Sequence, residues 1–244
     1  MNLKTFAVLA MSLATICASA ATAFAQRDER VIVTASRIDR DGGDLPVVSI
    51  RVPAEYVIFL LEVETATRSE DERARELQQA YAAIIARVKG ASGMTLEAGD
   101  AWSSSPIETV AVKEIIHPDD EDELRSEIDL VLTVAVRAGD TFDSIRARTE
   151  QFVSQIPQTG RVEIVMGDTQ FMGVDDPKKH RETLLRQIAA DTDLLQSLFG
   201  GKPTGPASIS LNGLEGRVKS RPVGPLELEI YIDYSLSLVQ APRN

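Results

Sequence analysis

Two stretches of this chain alternate between apolar and polar residues almost without interruption, and that pattern limits the fold more than any other feature. In 127–137, Ile128, Leu130, Leu132, Val134 and Val136 fall on one side, with Glu127, Asp129, Val131, Thr133, Ala135 and Arg137 on the other. In 226–238, Leu226, Leu228, Ile230, Ile232, Tyr234, Leu236 and Leu238 oppose Glu227, Glu229, Tyr231, Asp233, Ser235 and Ser237. A period of two with one polar side predicts antiparallel strands with one face wet. Both stretches exceed the usual strand of about 5–6 residues. A strand that overhangs its own domain offers backbone on which another copy can pair.

Helical spacing separates these strands. Ser69 with Glu72 has the form of a capping box, and Glu70 and Asp71 place negative charge where a helix dipole favours it. Ala74, Leu77, Tyr81, Ile84, Ile85 and Val88 then line one helix face up to Lys89-Gly90. Before this helix, the unalternating run from Tyr56 to Val63 predicts a strand buried on both faces. Asp140 is placed to cap a helix over 142–154 carrying Phe142, Ile145, Phe152 and Val153, and Val162, Ile164 and Met166 suggest a further strand. Asp176-Pro177 predicts a helix start. Leu184, Leu185, Ile188, Leu195, Leu198 and Phe199 continue its apolar face to a Gly200-Gly201 stop, and Ile209 and Leu211 begin the next strand. From residue 54 the order is β-α-β-β-α-β followed by α-β-β. The fold class expected is α+β, with mixed, mainly antiparallel sheets covered on one face by amphipathic helices. Helix–strand–strand occurs at 69–138 and again at 176–238, an internal duplication at the level of pattern only.

The first 25 residues read as a cleaved export signal. Lys4 precedes an apolar run from Phe6 to Ala20, and Ala23-Phe24-Ala25 supplies small residues at −3 and −1, so Gln26 is the expected mature start. A membrane-spanning helix needs about 20 strongly apolar residues, and this run is short and rich in Ala, Ser and Thr. The one cysteine, Cys17, lies inside the signal and follows Ile16, which argues against a lipid anchor. Without it the mature chain has no disulfide, and burial of apolar surface must hold it together. No later segment approaches a transmembrane span. Organisation after the signal is a strand and loop at 26–53, the α+β region at 54–238 and a tail at 239–244. The net charge of −11 without a basic block excludes a phosphate-gripping nucleic-acid protein.

In element order the chain resembles the SIMPL-domain family of exported bacterial proteins. The resemblance runs over roughly residues 30–238. It rests on Ile32-Val33-Thr34, the strand at 56–63 leading into the Ala-rich helix Ala74 to Val88, and the long strand at 128–136. It continues through Gly139-Asp140-Thr141-Phe142, Val162-Glu163-Ile164, the helix near Asp176, and the closing Leu228-Glu229-Ile230-Tyr231-Ile232-Asp233-Tyr234. Ala35-Ser36-Arg37 stands where the family usually has Gly-x-Gly. The resemblance implies a periplasmic envelope protein, non-catalytic and homo-oligomeric, linked in some members to stress tolerance. Separately, residues 30–37 are similar to the TonB-box segment of TonB-dependent receptors, which would make the chain a TonB-system accessory protein with an envelope partner. The helices at 69–90 and 177–199 are at odds with a transmembrane barrel, and an ordinary first strand accounts for the same residues.

Candidate chemistry is sparse. His117-Pro118-Asp119-Asp120-Glu121-Asp122-Glu123 offers an imidazole and carboxylates to a divalent cation, or to a metal-dependent or hydrolytic enzyme. Its spacing fits neither an EF-hand nor a zinc site, and it reads equally as the solvated tip of a hairpin between 107–116 and 126–138. His180 beside Lys178, Lys179 and Arg181 reads as an anion site or a solvent-facing turn. Asp191 and Asp193 do not share a helix face. Residues 199–205 lack phosphate-loop spacing and mark a helix stop. Ser103, Ser104 and Ser105 lack a nucleophile elbow, and Trp102 beside them reads as a packing or interface aromatic. The expectation is therefore no catalytic, cofactor-binding or metal residue and no cofactor.

Overall fold

The computed structural model describes residues 31–34, 48–119, 122, 124–199 and 207–240. The expected export signal, residues 35–47, Asp120, Glu121 and Glu123, the expected stop at Gly200-Gly201 and residues 241–244 lie outside them. The strands are β1 (Val31–Thr34), β2 (Ser49–Pro53), β3 (Tyr56–Thr65), β4 (Met94–Gly99), β5 (Ser104–Pro106), β6 (His117–Pro118), β7 (Ser126–Ala135), β8 (Glu163–Val174), β9 (Ala207–Asn212), β10 (Val218–Gly224), β11 (Glu227–Ile232) and β12 (Ser235–Gln240). The helices are α1 (Glu70–Lys89), α2 (Val112–Ile115), α3 (Phe142–Ser154) and α4 (Arg181–Phe199).

The fold is α+β. The main sheet runs β1-β8-β3-β7-β4-β5, with β6 also on β7, and every pair is antiparallel. Because β3 and β4 both pair with β7, α1 crosses over between two parallel strands, and α3 does the same from β7 to β8. These interleaved crossovers make a split β-α-β arrangement. Its helix face buries Val57, Phe59, Leu61 and Val63 of β3 and Ile128, Leu130, Leu132 and Val134 of β7 against Leu77, Ala80, Tyr81 and Ile84 of α1 and Ile145 and Phe152 of α3. The same core continues into Leu184 and Ile188 of α4 and Leu228, Ile230 and Ile232 of β11. β11 sits centrally in a second sheet, β10-β11-β2, and β9 and β12 form a separate two-stranded ribbon.

Several expectations need correction. The second face of β7 is only partly wet: Glu127, Val131 and Thr133 are buried as well as the apolar side, and Asp129 stays exposed. The reason is its central place, with β3 and β4 flanking it, and a second apolar cluster of Tyr56, Ile58, Ala101, Val131 and Phe171 covering the far side of the sheet. The run 226–238 is two strands in two sheets: Leu226 is in the preceding turn with φ 55°, and Asp233 and Tyr234 break the run. Residues 107–116 are not a hairpin strand; they hold a loop and the single turn α2, leaving only His117 and Pro118 on β7. The strand at 162–166 extends through Val174, with a register shift opposite Leu60. The two helix–strand–strand units pair differently, since β4 and β7 are neighbours in one sheet whereas β9 to β12 divide between two.

Helix ends also differ. Ser69 makes no side-chain cap; its carbonyl accepts from the Glu72 and Arg73 amides. Thr141, not Asp140, caps α3, in a reciprocal box with Ser144. Asp140 instead pairs with Arg148 at 3.0 Å, and that guanidinium holds its carboxyl below the usual range. Asp176 caps as expected, accepting from the Lys178 amide, but the turn at 177–180 is 3-10 before α4 begins.

Candidate functional site

The uncovered end of the main sheet, on the face away from the helices, carries the clearest polar constellation. Cross-strand register places Glu163 of β8, Glu64 of β3, Glu127 of β7 and His117 of β6 side by side in one row. The next row on the same face holds Val165, Glu62 and Asp129. Like charges directly opposite repel, so such rows need cations. Arg125 supplies one, its Nη1 at 2.7 Å from Glu64 Oε2. His117 bridges the other two acids, with Nδ1 at 3.4 Å from Glu127 Oε1 and Nε2 at 3.2 Å from Asp129 Oδ2. Nδ1 also lies 3.1 Å from the Pro118 carbonyl.

Burial, with the charges of Glu62, Asp129 and Asp119, pushes the Glu127 carboxyl up to about 7, while His117 pulls it down. A carboxyl that changes charge near neutrality, in contact with an imidazole, has the protonation behaviour of an acid–base pair. The setting is a sheet surface. His117 and Asp129 are open to solvent there, with side chains 41% and 51% exposed. Among the described residues, no group of three or more His, Cys, Asp or Glu is arranged to hold a metal ion.

Of the acids expected beside His117, Asp119 and Asp122 serve the turn. Asp119 accepts from the Asp122 amide at 3.2 Å and Asp122 from the Leu124 amide at 2.9 Å. The partners of His117 are instead Glu127 and Asp129, on one strand face by the period of two. Glu62 was visible only as a polar interruption in an apolar run.

The remaining candidates disperse. His180 is half-buried, and burial together with Lys179 lowers its pKa. The cations beside it are engaged, Lys179 with Glu55 and Arg181 with the carbonyls of Leu214 and Gly216. Ser104 donates to Glu97, and Asp100 accepts from the Trp102 and Ser103 amides. Trp102 is 71% exposed and meets Phe171 edge-on at 5.5 Å, a lid residue over the second apolar cluster. Val31–Thr34, inside the segment similar to a TonB box, pairs with β8 as the sheet's edge strand. No described helix is long and apolar enough to cross a membrane. Compared with models of protein families and with curated proteins, the chain matches none.

Proposed function

We propose that this chain is an exported, periplasmic protein of SIMPL type that works by self-assembly and not by catalysis, copies joining through the β9–β12 ribbon. The observation that carries this reading is the contrast between that ribbon and the protected edges β10, β2 and β5, the main sheet's other edge, β1, being uncharged but only four residues long. Exposed edges are normally protected by charge, proline, bulges or brevity. β10 has Lys219, Arg221, Pro222 and a register shift, β2 has Arg51 and Pro53, and β5 is three residues ending in Pro106. β9 (ASISLN) and β12 (SLSLVQ) contain no charge and no proline, and each has one strand neighbour. An isolated two-stranded ribbon is also marginal in water. α4, which lies against β9, leaves Leu194 and Leu198 each 55% exposed, so apolar surface is available beside the backbone edge.

The test is the mass in solution over a range of concentrations. The unaltered chain is expected above the mass of one chain, and Ser210→Lys with Ser237→Lys is expected to shift it to monomer without loss of folding. A strictly monomeric unaltered chain sinks the proposal. A second reading, a periplasmic hydrolase or metal-dependent enzyme, is favoured by the His117–Glu127–Asp129 contacts alone. It requires His117→Ala to abolish a turnover that the folded chain otherwise shows.

A further inference from the structure

A groove of about 710 Å³ opens between the N-terminal half of α1 and the turn before β8, lined by Thr67, Arg68, Glu72, Arg75, Glu76, Gln79 and Arg161. Arg68 comes from the loop after β3, Arg75 and Gln79 from successive turns of one helix face, and Arg161 from the turn that follows Gly160.

These arginines differ from most of the described arginines. Most described arginines are engaged: Arg125 with Glu64, Arg146 with Glu150, Arg148 with Asp140, Arg186 with Glu182, Arg221 with Glu229. Even buried Arg73 is satisfied, by Ser126 Oγ at 2.9 Å and the Thr67 carbonyl at 3.0 Å. Among the described residues Arg68, Arg75 and Arg161 make no side-chain hydrogen bond and no close ion pair, the Arg161 charge acting on Glu76 from further off, and all three line, with Glu72 and Glu76, one concavity in an acidic protein.

Of the two acids that line the groove, Glu76 is already committed. Glu76 accepts from Thr65 Oγ1 at 2.7 Å and Thr67 Oγ1 at 2.8 Å and from the Arg161 amide. Burial would raise its carboxyl, and those hydrogen bonds together with the Arg161 charge outweigh burial and lower it. Gly160, at φ +54°, is required there, because a Cβ would collide with the Glu76 carboxylate. This latch fixes the turn carrying Arg161 against α1 and so sets the groove's width. Gln79 adds an amide that is likewise unengaged.

We propose that this groove binds a phosphoryl group, the three guanidinium forks taking its oxygens and Gln79 reaching the organic part of a phosphate ester. Guanidinium is the side chain best matched to a tetrahedral oxyanion, through paired N–H donors. The groove is larger than a bare phosphate needs, which favours an ester over the inorganic ion. The inference is independent of how copies assemble, since it uses a different part of the surface.

Calorimetric titration of the full chain with glycerol phosphate tests it. Saturable binding that weakens as salt rises is expected. Arg75→Gln and Arg161→Gln should each weaken it about tenfold or more, Arg75→Lys by less, and Arg146→Gln not at all. All these side chains are exposed or half-exposed, so the melting temperature should stay unchanged and a lost affinity is a lost contact. Co-sedimentation with phosphatidylglycerol vesicles distinguishes the sources: retention on vesicles that Arg75→Gln abolishes assigns the phosphoryl group to a lipid headgroup, and binding of the free ester alone assigns it to a small molecule. Absence of binding to both, or binding that survives Arg75→Gln and Arg161→Gln together, overturns the proposal.

Discussion

Glu127 should impose the steepest pH dependence on the stability of this fold. Its carboxyl moves from an ordinary 4.5 to about 7 on folding. Between those values the folded chain keeps a proton that the unfolded chain has released. Folding is therefore strongest at the acid end, weakens as pH rises through the window, and levels off above about 7. The gap corresponds to roughly 3 kcal/mol. That figure is a ceiling, because Glu62 and Asp129 face solvent and water screens their repulsion of Glu127, so a loss of about 1–3 kcal/mol is expected. Glu64, opposite on β3, is held by Arg125, and the His117 imidazole touches Glu127 itself. Glu127→Gln replaces the acid with a neutral side chain of the same shape and removes the titration. Urea unfolding at intervals from pH 5 to 8 should show the unaltered chain losing stability across the window and the variant losing less than half as much. His117→Gln, measured in parallel, should keep the fall and deepen it, since the one group that lowers the Glu127 pKa is gone. Parallel profiles for the unaltered chain and Glu127→Gln would refute the reasoning.

Two other substitutions probe the frame. Leu132→Ala, at a fully buried position in the centre of β7, should cost about 2–5 kcal/mol in urea unfolding, and a cost below about 1 kcal/mol would mean the core is not where the burial puts it. Thr141→Ala should cost about 1 kcal/mol by removing the cap of α3; no loss of helix stability in that variant would mean the box with Ser144 carries no weight.

Local signals proved legible where they were also globally decisive. The spacing of Leu77, Tyr81, Ile84 and Val88 placed α1, and the apolar run at 56–63 placed a strand buried on both sides, because burial there follows from the residues themselves. The reading failed where a neighbour distant in sequence decides. Nothing within 127–137 reveals that Ala101 and Phe171 cover Val131 on the far side of the sheet, or that β3 and β6 flank Glu127, so that face looks solvated throughout and is not. Alternation through 226–238 survives the break at Asp233 and Tyr234, since both new strands happen to keep the same phase. His117 was visible as chemistry, but its partners on β7 depend on a two-residue pairing too short to leave a pattern. The arginines of the α1 groove are scattered among 68, 75 and 161, and only the turn at Gly160 gathers them.

The order of strands in the main sheet also governs how this polypeptide must be made. β3 leaves the ribosome well before either of its neighbours, since Tyr56 finds one at Ala135 and the other only at Gly173. Until the segment ending at Val174 has emerged, its most apolar strand has an open flank, and every pairing that closes it spans much of the chain. Topologies of this kind gain their native contacts late and slowly. A growing chain of this sort is exposed to mispairing for as long as it is being synthesised, and a holding chaperone that masks Tyr56–Val63 would be of most use before β8 arrives.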